Sequence, residues 1–318
     1  MGARTWRRGL LAALASGLLL AGWGADLPSA LAQPAGPAPA IAPADSLTGT
    51  LARIRRTGMV RIGYREQALP FSFGKPGGTP YGYSIDLCLA IVEELTGATG
   101  GRPLSIAYRP VTPENRIELV VRGEIDLECG ATTQTAERRA QVAFSPLTFV
   151  TGTRLAVPRG SGMRTRRDLD GRRIAVARGT TNEQAVREHI ARAALRTEVV
   201  TVRDVAEAFD LVVAGGADAV ASDEVLLLGA LAKSGQRARY DLVGEWLSYE
   251  PYGIMYARND APLAQVVDAT FERLARTREL RWIYLRWFER RLPSGVKLGL
   301  PMSPQLQRAF EMLGLPPD

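Results

Sequence analysis

Histidine occurs once in the 318 residues and cysteine twice. That excludes a histidine- or cysteine-rich metal site and leaves no Ser–His–Asp arrangement to build, because His189 lies on a helical stretch between Glu188 and Arg192 as a surface residue would. No Gly-rich phosphate-loop pattern is present, which removes the usual nucleotide-binding signatures. Aromatic residues make up 7 % of the chain and never interleave with a basic block, although the formal charge is +7. The arginines are scattered, as in Arg164, Arg166, Arg167, Arg172 and Arg173. A solvated basic surface is the expected reading, and no nucleic-acid partner is expected. No internal repeat occurs, and no apolar run after the first few dozen residues approaches the ~20 needed to cross a bilayer.

The chain opens with Arg4, Arg7 and Arg8, an apolar run from Leu10 to Ala25, and Ala30-Leu31-Ala32. Basic start, apolar centre and A-x-A end are the layout of a secretory signal peptide, read here as residues 1–32, with an uncleaved anchor as the alternative. Residues 33–47, rich in Pro and Ala, read as a linker. The expected location is the periplasm. About 270 residues remain, enough for one large or two medium α/β domains.

That body alternates strands and helices. Val60, Ile62 and Tyr64 alternate with Arg61 and Gly63 as in a strand, and Ile85, Cys88, Leu89 and Val92 follow at helical spacing with Gly97 as a helix stop. Leu104–Tyr108 reads as a strand, Thr112-Pro113 as a helix start ended by Gly123, and Ile125, Leu127 and Cys129 as a further strand. Later come a strand at Arg173–Ala177, a helix after Thr181, a helix at Asp204–Ala214 and a strand at Ala217–Ala221. This grammar implies mostly parallel, doubly wound sheets, which bind ligands at the carboxyl ends of their strands. Four such places carry suitable chemistry: Arg65; Asn115-Arg116; the run Cys129–Thr133 with Arg138 downstream; and Arg178-Gly179-Thr180-Thr181, where Thr181 and Gln184 have capping-box spacing. Asp223 is a candidate partner for an ammonium group.

The stretches Gly82–Asp86, Asn115-Arg116-Ile117, Asp126–Thr133 and Gly152–Leu155 resemble the polar-amino-acid solute-binding proteins (family 3) of bacterial ABC transporters, in particular their glutamate/aspartate-binding branch. The resemblance runs from about Leu47 to the region of Trp287. It implies an α/β, two-lobed periplasmic-binding-protein type II fold with two crossover hinge strands, near Phe149–Leu155 and Tyr249–Ile254. One lobe would combine residues 48–150 with 252–318, and the other would be 151–251.

The resemblance also implies a function: capture of an acidic or related polar amino acid between closing lobes and delivery to a membrane-embedded ABC permease, by a monomer with no cofactor and no catalysis. Arg138 would hold the ligand α-carboxylate with Ala131, Thr133, Thr180 and Thr181, Asp223 the α-ammonium, and Arg65 and Arg116 the side-chain end. Three arginines against one carboxylate suit a zwitterion carrying one extra carboxylate. The branch usually has Ser at the positions of Pro113 and Ala131 and His at that of Val205, which leaves open which acid or amide is bound. A cyclohexadienyl dehydratase on the same fold and a sensory partner of a receptor stand as alternatives. Cys88 and Cys129, on neighbouring apolar faces of a chain exported to an oxidising compartment, are expected to form a disulfide, with two separate buried thiols as the alternative.

Overall fold

The computed structural model describes residues 47–74, 77–292 and 295–317. The signal segment 1–32 and all of the linker except Leu47 lie outside the described residues. The element order begins α1 (Gly49–Thr57), β1 (Met59–Tyr64), β2 (Gln67–Ala68), β3 (Ser72–Phe73), α2 (Tyr83–Ala98), β4 (Ser105–Pro110), α3 (Arg116–Val121), β5 (Leu127–Glu128), α4 (Ala136–Arg139) and β6 (Val142–Phe144). A long β7 (Phe149–Pro158) follows, then β8 (Arg173–Ala177), α5 (Thr181–Ala193), β9 (Glu198–Val202), α6 (Val205–Val213), β10 (Ala219–Asp223) and α7 (Glu224–Lys233). The chain finishes with β11 (Tyr240–Val243), β12 (Tyr249–Tyr252), β13 (Met255–Ala257), α8 (Ala261–Arg276), α9 (Glu279–Tyr284) and α10 (Pro304–Met312).

Among the described residues two α/β sheets result, beside the small antiparallel pair β2-β3. The first has the order β4-β1-β5-β13-β6, with β1 parallel to β4 and β5, and β13 antiparallel to β5 and β6. The second has the order β11-β7-β10-β8-β9, with β8 parallel to β9 and β10, and β7 antiparallel to β10 and β11. In each sheet a parallel centre built by βα units is joined by an antiparallel strand next to where the chain passes between sheets. The passage is made outward along β7 and back along β12, which pair antiparallel from Phe149↔Tyr252 to Gly152↔Tyr249. Two strands side by side can bend together while each sheet moves as a body.

The sequence pattern accounts for these elements. Val60, Ile62 and Tyr64 are buried in β1, whereas Met59 at the strand start is exposed. The first-sheet end of the crossover pair is anchored in aromatics: Phe149 stacks on Phe288 at 4.6 Å between ring centroids, and Phe71 meets Tyr252 edge-on at 5.1 Å. Such pairs add about 0.5–1.5 kcal/mol beyond their buried area. Nearby, α7 approaches the segment carrying β2. A Cβ built on Gly229 would stand 2.1 Å from the Leu69 carbonyl oxygen, so no side chain fits there.

Several boundaries differ from the sequence reading. Helix α3 begins at Arg116 rather than just after Thr112. Thr112 Oγ1 accepts from the Asn115 N–H (3.3 Å) and Asn115 Oδ1 from the Thr112 N–H (2.8 Å), which closes a turn containing Pro113 ahead of the helix. Gly97 lies inside α2, and Gly100 and Gly101, at φ +109° and +74°, make the turn beyond it. Leu89, assigned to the apolar face, is exposed. The α5 cap is Thr180, not Thr181: its hydroxyl oxygen accepts from the Glu183 N–H, and Glu183 Oε2 accepts from the Gly179 N–H. Asp223 is the last residue of β10 rather than a loop residue beyond it.

Cys88 on α2 and Cys129 beyond β5 are joined by a disulfide, with Cα atoms 6.3 Å apart and both residues fully buried.

Candidate ligand site between the two sheets

The carboxyl ends of β1, β5, β8 and β10 and the crossover strand β12 bring one group of polar side chains together at the junction of the sheets. From the first sheet come Arg65, Glu128, Thr132 and Thr133, with Arg116 from α3 and Arg138 from α4. From the second come Thr153, Thr181, Asn182 and Asp223, and Glu250 comes from β12. All but the partly buried Thr181 are at most 8 % exposed. Charges at that depth are retained only where partners or a ligand compensate the lost hydration.

The three arginines are held differently. Arg116 Nη1 donates to the Ala131 carbonyl (2.9 Å) and to Thr132 Oγ1 (2.6 Å), and Thr132 Oγ1 donates on to Glu128 Oε2 (2.6 Å). Arg138 Nη1 donates to the Thr133 carbonyl (3.0 Å), and its own N–H is capped by Thr135 Oγ1. The Arg65 main chain exchanges two hydrogen bonds with Ser72 Oγ, but among the described residues its guanidinium has no ion pair and no hydrogen bond. Burial first, and the neighbouring Arg116 second, lower both Arg65 and Arg138 to about 10. A Cβ at Gly130 would lie 2.3 Å from Glu128 Oε1 and 2.9 Å from Arg65 Cγ, so a side chain there would displace both groups.

Across from these, Asn182 Nδ2 donates to Thr153 Oγ1 (2.7 Å) and Asp223 Oδ1 (3.2 Å). Burial, then the Glu250 carboxylate, push the Asp223 carboxyl up to about 7. The Tyr252 hydroxyl lies beside Asp223 and influences its titration, yet it closes no hydrogen bond of ordinary geometry. Arg116 Nε and Glu128 Oε1 are likewise buried without a hydrogen-bond partner. Three unpaired buried polar atoms at one junction are unusual for a folded protein, where such groups are nearly always satisfied.

The structure therefore brings Arg65, Arg116, Ala131, Thr133, Arg138, Thr181 and Asp223 to one place, and it changes two expectations. The hydroxyl of Thr180 is used within its own turn, accepting from the Glu183 N–H (3.1 Å) and donating to the Ala177 carbonyl (2.7 Å). The hydroxyls of Thr133 and Thr181 both donate to Glu250 Oε2 at 2.6 Å, so towards a ligand they can only accept. Donation to a carboxylate would have to come from the main chain there. The charge balance also changes, because Glu128 and Glu250, which sequence reasoning missed, oppose the arginines along with Asp223. Both glutamates sit in short strands whose sequence resembles any half-exposed strand. The signal available was the glycine after Cys129, which marks a close approach, and the hydroxyl-rich surroundings of Glu250 come from residues up to 117 positions away.

A cleft of about 530 Å³ lies between Pro113, Glu114 and Arg138 on one side and Gly179, Thr180 and Gln184 on the other. A larger cavity of about 720 Å³, beside Arg154, Ser161 and Asp241 on the second sheet, is lined by none of the buried residues named above. Among the described residues no group of three or more His, Cys, Asp or Glu is placed to hold a metal ion, and no helix is long and apolar enough to cross a membrane.

A family model described as bacterial extracellular solute-binding proteins, family 3, matches residues 60–290. An L-glutamate/L-aspartate-binding protein from Pseudomonas aeruginosa is 36 % identical over 267 residues, covering 83 % of this chain and 88 % of that protein. A glutamate/aspartate import solute-binding protein from Escherichia coli is 30 % identical over 89 % of this chain and 94 % of its own. Among solved structures, an ancestral arginine-binding protein bound to arginine superimposes with a TM-score of 0.65 at 30 % identity, covering 73 % of this chain and 98 % of that one. An ancestral amino acid-binding protein described as a precursor of cyclohexadienyl dehydratase gives a TM-score of 0.65 at 27 % identity, covering 76 % of this chain and 100 % of that one. With two α/β sheets joined by two crossover strands and a family match across most of its length, the chain belongs to the bacterial extracellular solute-binding proteins of family 3.

Proposed function

We propose that the protein is a monomeric, periplasmic carrier that captures an acidic amino acid of the glutamate or aspartate type between two closing lobes, residues 48–150 with 252–318 and residues 151–251. It hands the ligand to a membrane-embedded ABC permease and catalyses no reaction. The observation that carries this reading is the set of three buried arginines at the junction of the sheets, with Asp223 acting on Arg116 and Arg138 and with the Arg65 guanidinium making no hydrogen bond or ion pair among the described residues. The guanidinium fork matches a carboxylate bidentately. Arg138 takes the α-carboxylate, Asp223 the α-ammonium, and Arg65 and Arg116 the side-chain carboxylate. Main-chain groups at Ala131, Thr133, Thr180 and Thr181 complete the cradle. The names of the relatives from Pseudomonas aeruginosa and Escherichia coli support the same ligand class.

Thermal-shift screening of the purified protein against the common amino acids, small dicarboxylates and prephenate tests it. A ligand at about a hundredfold over its Kd stabilises the folded state by about 2.7 kcal/mol. L-glutamate or L-aspartate is therefore expected to raise the Tm by about 5 °C or more. Turnover of prephenate, or a shift with neutral amino acids alone, overturns the reading.

A pH dependence accompanies it. Asp223 keeps its proton up to about 7 in the folded protein. An ammonium beside it favours the carboxylate, so binding below that pH expels the proton and weakens as the pH falls, approaching about tenfold per pH unit. In the free protein the raised value means that the folded state binds the extra proton between about pH 4 and 7. The contribution of this group to stability then falls as the pH rises through that window. Calorimetric titration with L-glutamate at pH 5.5 and 7.5, in buffers of different ionisation heat, reads the proton directly. Equal affinity at both values and no proton release would contradict the role given to Asp223.

A further inference from the structure

Glu250 lies on β12, inside the crossover pair, and is 1 % exposed. Among the described residues its carboxylate has no ion pair with an arginine or lysine and is surrounded by hydroxyls instead. Oε2 accepts from Thr133 and Thr181, each at 2.6 Å. Oε1 accepts from Ser248 and, at 3.4 Å, from Thr153. The partners of Oε2 come from different sheets. Thr133 follows β5 of the first sheet, and Thr181 opens α5 behind β8 of the second. Their two hydroxyl oxygens are 3.4 Å apart.

These contacts do not respond alike to a parting of the sheets. The main chain of Thr133 is bridged to Tyr252 of β12, and the Gln134 N–H donates to the Pro251 carbonyl at 2.7 Å. Thr133 therefore travels with Glu250, and Thr181 is the partner that leaves. Other bonds between the sheets are superficial: Arg178 and Glu114 pair at 3.5 Å with side chains 62 % and 49 % exposed, and the Lys233–Gln67 bond at 2.6 Å is also exposed. Exposed pairs add little, whereas a buried hydrogen bond to a carboxylate is among the stronger ones.

We propose that Glu250 is a positioning residue that latches the two sheets in their closed arrangement through Thr181, before any ligand is bound. The latch rests on the hydrogen bonds between the sheets and stands apart from which ligand is captured. Its consequence for capture, a slower release of the bound amino acid, rests on the function proposed above.

The experiment is a distance measurement between spin labels on the full chain, placed at Val121→Cys and Val213→Cys. These positions are 59 % and 61 % exposed on α3 and α6, and both native cysteines are occupied by the disulfide. Without ligand, the wild-type side chains at 181 and 250 are expected to give a closed population. Glu250→Gln should lower the ratio of closed to open by about tenfold, the loss of one charge-assisted bond. Thr181→Val, which removes a single hydroxyl from a helix start, should move it the same way by less. A ligand-free parent with no closed population overturns the latch, as do folded variants that keep the parent distribution. Should Glu250→Gln fail to fold, Thr181→Val decides alone. L-glutamate is then added to the parent protein. No further closure would count against the amino-acid reading and leave the latch standing.

Discussion

Replacing Arg138 with alanine is expected to raise the Kd for every amino acid the protein binds by at least about a hundredfold. Arg138 is 8 % exposed, its charge disfavoured by burial, and its one described side-chain bond is to the Thr133 carbonyl. The rest of the guanidinium is available to the α-carboxylate that all amino acids share. Each charge-assisted bond contributes about 1.5–3 kcal/mol, so two lost together give this magnitude or more. Arg65→Ala is expected to discriminate instead. Its guanidinium makes no hydrogen bond or ion pair among the described residues, with Glu128 and Asp204 acting on it only at longer range, so its removal breaks no direct bond, and the proposed function gives it the variable end of the ligand. L-glutamate should lose about tenfold more affinity than L-glutamine in this variant. Calorimetric titration of both variants with both ligands is the measurement. Equal losses for the two ligands in both variants would show that the arginines do not divide the ligand in this way. Arg116→Ala is a poorer probe than the sequence suggests. Arg116 holds Ala131 and, through Thr132, Glu128, so its loss would leave a buried carboxylate without its cation and damage the fold.

The contrast between these arginines shows where sequence reasoning reached and where it stopped. The alternation Val60-Arg61-Ile62-Gly63-Tyr64 specifies a strand because burial of alternate side chains is a local rule, and Arg65 at its end follows directly. The order of βα units makes the carboxyl ends of the strands the place for a ligand, which is why Arg65, Thr133, Thr181 and Asp223 stand out in the sequence alone. Helix starts are less legible. Thr180 and Thr181 are adjacent hydroxyls with acidic or amide residues three positions on, and local spacing alone does not choose between Thr180 with Glu183 and Thr181 with Gln184. Tertiary contact chooses, because Thr181 is drawn to Glu250. At α3 the Thr112-Pro113 start is displaced because Asn115 can return a bond to Thr112, an alternative that asparagine side chains offer within one turn.

Glu128 and Glu250 were illegible for a related reason. A glutamate in a short strand is more often exposed than buried, and nothing within five residues of Glu250 announces that its carboxylate will be covered. The meeting of residues 133, 153, 181 and 248 around Glu250, drawn from two sheets and the segment joining them, turns it into a buried acceptor of hydroxyls. The site's electrostatics consequently differ from what its arginines suggest. The three arginines face Glu128, Glu250 and Asp223, with Asp204 acting on Arg65 as a fourth acid, and Asp223 holds its proton up to about 7. The charge deficit that favours an acidic ligand is smaller than the arginine count implies, and it depends on the state of Asp223.

Removal of the disulfide is expected to cost stability far more than affinity. The bridge joins residues 41 apart. In the chain-entropy account a closed loop of that length stabilises the folded state by about 3–4 kcal/mol. The double variant Cys88→Ala with Cys129→Ala should therefore melt about 10 °C below the parent. Affinity for L-glutamate should change by no more than about threefold, because the loop after Cys129 has a second tether. Ser84 on α2 donates to the Gly130 carbonyl at 2.7 Å, so the bridge is not alone in positioning Gly130–Thr133. Both cysteines are 0 % exposed; reductant should leave the native protein unchanged and act only after denaturant has opened it. Scanning calorimetry of the parent and the double variant measures the first effect and titration the second. Intact mass after alkylation in denaturant without reductant should show no alkyl group added to the parent. Two alkyl groups would mean separate thiols, and the variant's loss of stability would then have to come from cavities left by the sulfur atoms. A double variant that kept its Tm but lost its ligand would make the bridge a device for positioning the loop rather than one that restrains the unfolded chain.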